Sequence, residues 1–344
     1  MKRKKKKKNI KKEILDYLKD EWKFLLFCVV LTCILLFPLD YYITTGGGIS
    51  DIDKRVIVED SYDSKGTLNI SYVTQLRGDI LTYGLSYIMP NWEREKYSDY
   101  KIDDDETLDN LEFRNKLNLE YSNSNATYWG FKLAGEYIEL VSSKMYIIYI
   151  SKEYKTEFKV QDELLSIDNK SFSNFNDYKN YLNTLNEGDY VTVKVLRKNK
   201  EVEFKTKLYR LEDRNIMGVT LNIINKYKTS KNVKFKFKNN ETGPSGGLMT
   251  TLDIYNKLTK KDITNGLKIA GTGTIEIDGT IGEIGGVKHK LLGAAHSKAD
   301  VFLVPKENYK ECIKTKKENK LPIKIIKVTN IEEAINKLSN LEGR

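Results

Sequence analysis

GPSGGLM at residues 243–249 and AGTGTIEIDGTIGEIGGVKHKLLGAA at residues 270–295 decide how this 344-residue chain is read. Each opens an apolar helix with a glycine-rich turn. Ser245 stands in the first turn, and Leu248, Met249, Leu252 and Tyr255 follow it at helical spacing. A hydroxyl at the mouth of a helix lies beside backbone N–H groups that lack intrahelical partners, and these can hold the negative charge that develops in acyl transfer. Lys288 follows Gly285 and Gly286 at the start of the second helix, among Val287, Leu291, Leu292, Ala294 and Ala295. A free lysine, with a pKa near about 10.4, is neutral in only about one molecule in a thousand at pH 7.4. Apolar burial that lowers the value by about 3 units, or about 4 kcal/mol, turns such an amine into a base for the serine.

Taken together, the two turns resemble the proteolytic domain of Lon-type proteases, with residues 213–344 as its extent. The resemblance implies a serine-lysine dyad of Ser245 and Lys288. It also implies that Thr272, in its Thr-Gly pair, orients the lysine, and that Gly243, Pro244 and Gly246 form the oxyanion turn. Asp278-Gly279, between Thr274–Ile277 and Thr280–Ile284, reads as a tight hairpin that delivers the chain to Lys288. Two departures stand out: Gly246 follows the serine where alanine is usual, and no acidic residue directly precedes Gly243. His289 and His296, seven apart on one helix, suit packing; a serine-histidine-acid triad requires one of them to turn toward Ser245. No Gly-x-x-x-x-Gly-Lys-Ser/Thr loop occurs, so the expected hydrolysis is ATP-independent, and three cysteines with two histidines give no zinc spacing. Neither a metal nor a cofactor is expected.

The formal charge of +10 looks like that of a nucleic-acid binder until it is located. Residues 1–12 hold nine Lys or Arg and no acid, which leaves the remainder near +1. A lysine tail beside anionic lipid explains this charge, so no nucleic-acid partner is expected. Phe24–Leu39 is a run of sixteen uncharged residues, extended by Tyr41, Tyr42 and Ile43. That approaches the roughly 20 residues that span a bilayer, and predicts a single-pass anchor over 24–43 with a basic cytoplasmic tail, 1–23, and all that follows outside the cell membrane. A cleaved signal peptide is the rival reading. Cys28 and Cys33 fall inside the apolar run and leave Cys312 without an intrachain partner beyond it, so no disulfide framework is expected.

Residues 44–134 read as a linking domain without a chemical role. Strands are expected at Arg55–Asp60 and Leu68–Thr74, an apolar helix or strand at Ile80–Ile88, and a helix at Leu111–Trp129. Residues 135–212 have a strand at Met145–Ile150, an Ile-Asp-Asn turn at 167–169, an amphipathic helix at Phe175–Leu185 and a Gly188-Asp189 turn before another strand. This pattern resembles a PDZ domain, which binds a peptide as an added strand. Here Gln161 and Asn169 replace glycines of the family pattern, and asparagine tolerates the left-handed backbone. Val233–Lys238 alternates lysine with apolar residues at period two, which argues for a strand rather than a nucleic-acid patch. Val301–Val304 and Ile323–Val328 read as strands, and Thr329 with Glu332 as the capping box of a last helix through Leu338.

The expected architecture is an α/β (α+β) multidomain chain: a transmembrane helix, a mixed linking domain, a PDZ-like domain and a C-terminal Lon-type proteolytic domain. It is similar to the membrane-anchored, PDZ-containing Lon-like serine proteases of Gram-positive bacteria. That likeness implies a serine endopeptidase acting on peptide or protein substrates: secreted peptides or exposed segments of membrane or surface proteins. The alternative is a membrane-tethered PDZ-type binding scaffold with an inactive protease domain. Lon-type domains often form rings, so a homo-oligomer rests on the resemblance alone.

Overall fold

The computed structural model describes Glu13 and residues 16–343. The lysine-rich start, residues 1–12, lies outside the described residues, as do residues 14 and 15 of the expected cytoplasmic tail, 1–23. Two units divide the chain: residues through Thr45 with Thr74–Tyr100, and Gly46–Val73 with Lys101–Arg344.

In the first unit the apolar run forms a helix over Trp22–Leu35, 14 residues long. At 1.5 Å per residue this is about 21 Å, short of the about 30 Å of a hydrocarbon core. Pro38 then starts a strand, Pro38–Asp51, rich in aromatic and β-branched residues, where a longer helix was expected. The spanning helix over 24–43 is thus not found, and among the described residues no helix is long and apolar enough to cross a membrane. Phe24, Phe27, Val29 and Ile34 are nevertheless exposed around the helix. Ile80–Leu85 is helical, and Asp79 caps it by accepting the Thr82 N–H.

The second unit is built on a parallel sheet. Strand Lys268–Gly271 lies between residues 67–70 of strand Thr67–Asp79 and strand Val301–Pro305, and strand Lys324–Val328 follows at the edge. Val301–Pro305 is buried along its whole length, as its unbroken apolar run requires of a strand covered on both faces. Leu248, Met249 and Leu252 of helix Gly247–Leu258 fill the core on one side. Val287, Leu291 and Ala294 of helix Val287–His296 fill another with Phe302 and Cys312.

Residues 44–134 therefore do not form a linking domain. Leu68 and Asn69 pair with Ile269 and Ala270 in the proteolytic sheet, and helix Leu108–Ala134 sends Ala126, Trp129 and Phe131 into the same core as Leu248 and Leu252. The PDZ-like segment is inserted between that helix and Ser245. Its sheet runs in the order Val219–Thr229, Ile138–Ile150, Glu163–Ile167, Tyr190–Arg197, Lys200–Lys207, around Ile147, Ile167, Leu182 and Val193. Because Val219–Thr229 pairs along Ile138–Ile150, this sheet extends past the expected boundary at 212. Asp168 and Asn169 have φ of 48° and 61°, the two left-handed residues of a tight hairpin turn, and Gln161 has φ of 80°.

Smaller corrections concern local chemistry. Asn330, not Thr329, caps the last helix, Ile331–Ser339, while Thr329 donates its N–H and hydroxyl to Glu333. The chain does reverse at Asp278-Gly279, with Glu276 N–H donating to Thr280 O, but the flanking runs form no strand ladder. Val233–Phe235 is a strand paired with Val56–Val58, with Lys234 exposed and Phe235 packed on the core.

Candidate active site

The Ser245 turn is fixed through its main chain. The Gly273 N–H donates to Ser245 O at 2.8 Å and the Thr272 hydroxyl donates to the same oxygen at 3.1 Å. Gly243, with φ of 87°, makes the reversal that a side chain would resist. At Gly247 a Cβ would fall 2.5 Å from Ser122 Oγ and 2.6 Å from Ile275 Cγ2, so only glycine lets the helix start this close to its neighbours. Ser245 itself stays half-exposed while Leu248 to Leu252 beyond it are buried. The result is a half-exposed serine on a turn whose main chain is tied down by hydrogen bonds.

The lysine brought to this turn is Lys290, not Lys288. Lys290 is 4% exposed, and its Nζ donates to Thr272 Oγ1 at 3.3 Å. Desolvation lowers its pKa to about 8. Thr272 thus links amine and serine, accepting from Lys290 and donating to the Ser245 carbonyl. Lys288, two residues earlier, is turned by roughly 200° around the helix and remains half-buried. The sequence does carry a signal for the difference. Val287, Lys290, Leu291 and Ala294 recur at the three-four spacing of one helix face, whereas Lys288 falls off it. Thr272, fully buried, holds the place expected for it beside a lysine, though the lysine is another one. His289 is buried and His296 exposed.

Of the three residues expected to form the oxyanion turn, two lack a free donor. Pro244 has no N–H, and the Gly243 N–H donates to Asn115 O at 3.0 Å. The Gly247 N–H is engaged by Pro244 O and the Leu248 N–H by Gly273 O. That narrows the expected donors to the Ser245 and Gly246 N–H groups. Asn115 and Ser122, whose hydroxyl donates to Pro244 O at 3.1 Å, belong to helix Leu108–Ala134 and have no sequence signal that ties them to the turn. The same helix holds the loop after Thr272: Asn125 donates to Ile275 O, and the Trp129 ring N–H to Glu276 O.

With this geometry in view, comparison with known proteins is direct. Residues 238–340 match the family model of the Lon protease (S16) C-terminal proteolytic domain, and residues 136–208 match that of the PDZ domain. The chain carries a Lon-type proteolytic domain and a PDZ domain. Its Lon-type domain is 32% identical over 95 residues to the Lon protease of Desulfatibacillum aliphaticivorans (28% of this chain, 11% of that one). Against the Lon protease of Metamycoplasma arthritidis it is 37% identical over 91 residues (26% and 11%). The chain spans about a tenth of the length of the relatives it matches. The PDZ domain of an SdrC-like protein from Listeria monocytogenes is 18% identical, covering 22% of this chain and 85% of that one at a TM-score of 0.22. By domain class the Lon-type unit is that of a serine peptidase, a hydrolase of peptide bonds.

The lowered pKa of Lys290 carries a stability consequence. The folded state binds this proton less tightly than the unfolded chain, so the burial penalty is fully present below pH about 8 and disappears as pH rises toward about 10.5. Lys290→Met should therefore raise unfolding stability at pH 7 by up to about 3 kcal/mol, with a gain that shrinks by pH 10. Urea unfolding at the two pH values checks this; a variant less stable than the parent at pH 7 contradicts the burial of a strained amine.

Proposed function

We propose that the protein is an ATP-independent serine endopeptidase in which Ser245 is the nucleophile and Lys290 the general base. The supporting observation is the buried Lys290 amine on Thr272, whose hydroxyl holds the Ser245 carbonyl. With a pKa of about 8, about one such amine in five is neutral at pH 7.4, some two hundred times the fraction of a free lysine. Neutral Lys290 takes the proton as Ser245 Oγ bonds to the scissile carbonyl carbon. The Ser245 and Gly246 N–H groups hold the oxyanion, and Lys290 returns the proton to the amine as the C–N bond breaks. Water activated by the same amine then cleaves the acyl-serine bond and restores the hydroxyl.

Unstructured peptide segments are the substrates that fit, since the mechanism uses no nucleotide-driven unfolding. The PDZ domain supports strand-addition binding of such a segment and its presentation to the Ser245 turn. Ser245→Ala and Lys290→Ala should each lower kcat on a fluorogenic peptide by at least about a thousandfold, and Lys288→Ala by less than about threefold. In the parent, kcat/KM should rise to a plateau as pH passes through about 8, because the neutral amine is the active form. An inactive Lys288→Ala beside an active Lys290→Ala reverses the assignment, and labelling of Ser245 without turnover favours the inactive scaffold.

Location belongs to the same reading. Helix Trp22–Leu35, apolar and exposed on its sides, supports association with the cell membrane surface, and the reading keeps the catalytic domain on its outer side. Trypsin added to intact cells should degrade the Lon-type domain; full protection contradicts that orientation.

A further inference from the structure

We propose that helix Leu108–Ala134 positions the Ser245 turn, with Ser122 as the positioning residue, and that the PDZ domain influences the rate of acyl transfer through this helix. The inference rests on the peptidase reading for its consequence, but its geometry stands separately. One side of the helix grips the serine turn: Asn115 O accepts the Gly243 N–H at 3.0 Å and the Ser122 hydroxyl donates to Pro244 O at 3.1 Å. Ser122 is 2% exposed and lies against Gly247, where a Cβ would approach its hydroxyl to 2.5 Å.

Another side grips the PDZ sheet. Phe113 meets Tyr146 edge to face with ring centroids 6.1 Å apart, and Tyr128 stacks on Tyr227 at 5.5 Å. Ser124 donates to Asn225 O at 2.8 Å, and Asn118 accepts from Asn222 at 3.2 Å. At about 100° per residue, Phe113, Ser124 and Tyr128 point roughly 180–240° away from Ser122, while Asn118, only about 40° from it, reaches Asn222 from the border of the two sides. Near the helix start, Asn110 accepts from Gln161, the PDZ residue held at φ of 80°. The long pair of strands Ile138–Ile150 and Val219–Thr229 is therefore bonded to one face of a rigid helix whose other face sets the main chain on either side of the nucleophile. A shift of the ribbon along or around the helix axis moves Asn115 and Ser122, and with them the turn. An interaction felt only when the Ser245 hydroxyl and the oxyanion donors must be aligned changes kcat and leaves KM alone.

Three variants in the full chain test this: Ser122→Ala, the PDZ-side pair Asn222→Ala with Ser124→Ala, and all three together. Two readouts are taken: kcat and KM on a fluorogenic peptide, and amide hydrogen exchange of the peptide covering residues 243–249. Loss of one buried hydrogen bond on this path should lower kcat about three- to tenfold with KM within about twofold, and should speed exchange in 243–249. The PDZ-side pair should do the same although it leaves every hydrogen bond of the turn in place, and the triple variant should lose less than the product of the two effects. If Ser122→Ala lowers the thermal midpoint, the PDZ-side pair decides alone. Unchanged kcat and unchanged exchange in the PDZ-side pair overturn the proposal. A parent chain without Ser245-dependent hydrolysis defeats the peptidase reading instead, and the exchange data still decide whether the helix holds the turn.

Discussion

The structure depends on a lysine amine kept out of water. Lys290 sits beneath the Ser245 turn with one hydroxyl, that of Thr272, between its nitrogen and the serine main chain. Protonated, this amine costs the fold about 3 kcal/mol; neutral, it is a base at physiological pH. The penalty is tolerable only where the surrounding core is dry and well packed, and Val287, Leu291, Ala294 and Phe302 supply that core. Thr272 is fully buried, so the hydroxyl that bridges the two residues has little freedom to turn away. On the proposed mechanism, stability given up at one buried charge is what prepares the base.

The scaffold that encloses this charge comes from distant parts of the chain. Asn69 donates to Ile269 O across 200 residues of sequence, and Leu68 lies beside Ile269 in the parallel sheet. Helix Leu108–Ala134 packs into the same core as helix Gly247–Leu258, and the PDZ domain is threaded between the former helix and the serine turn. Such an insertion leaves the enclosing domain intact because the ends of the inserted piece lie together: Ile138 pairs with Thr229. Placing the PDZ domain there puts its first and last strands against the helix that holds the Ser245 turn.

How much of this was legible follows from what is local. Glycine and proline punctuation marks the Ser245 turn, the Thr272 pair and the Asp278-Gly279 reversal, and period-two alternation marks Val233–Phe235. The three-four spacing of Val287, Lys290, Leu291 and Ala294 marks Lys290 as the lysine on the buried helix face, whereas the nearby Gly285-Gly286 turn points to Lys288. Residues 44–134 gave no hint of their place, since parallel pairing of Leu68 with Ile269 leaves no mark on either strand's own sequence. The apolar run after Trp22 reads as one long helix until Pro38, where a strand begins instead.

Burial brings the Lys290 pKa down to about 8, and lysine side-chain NMR tests this most directly. With lysines isotopically labelled at the ε position and the resonance assigned through Lys290→Met, the Lys290 signal should titrate near pH 8, well below the about 10.4 of a free lysine. A Lys290 signal that titrates near about 10.4, as a free lysine does, would contradict the account.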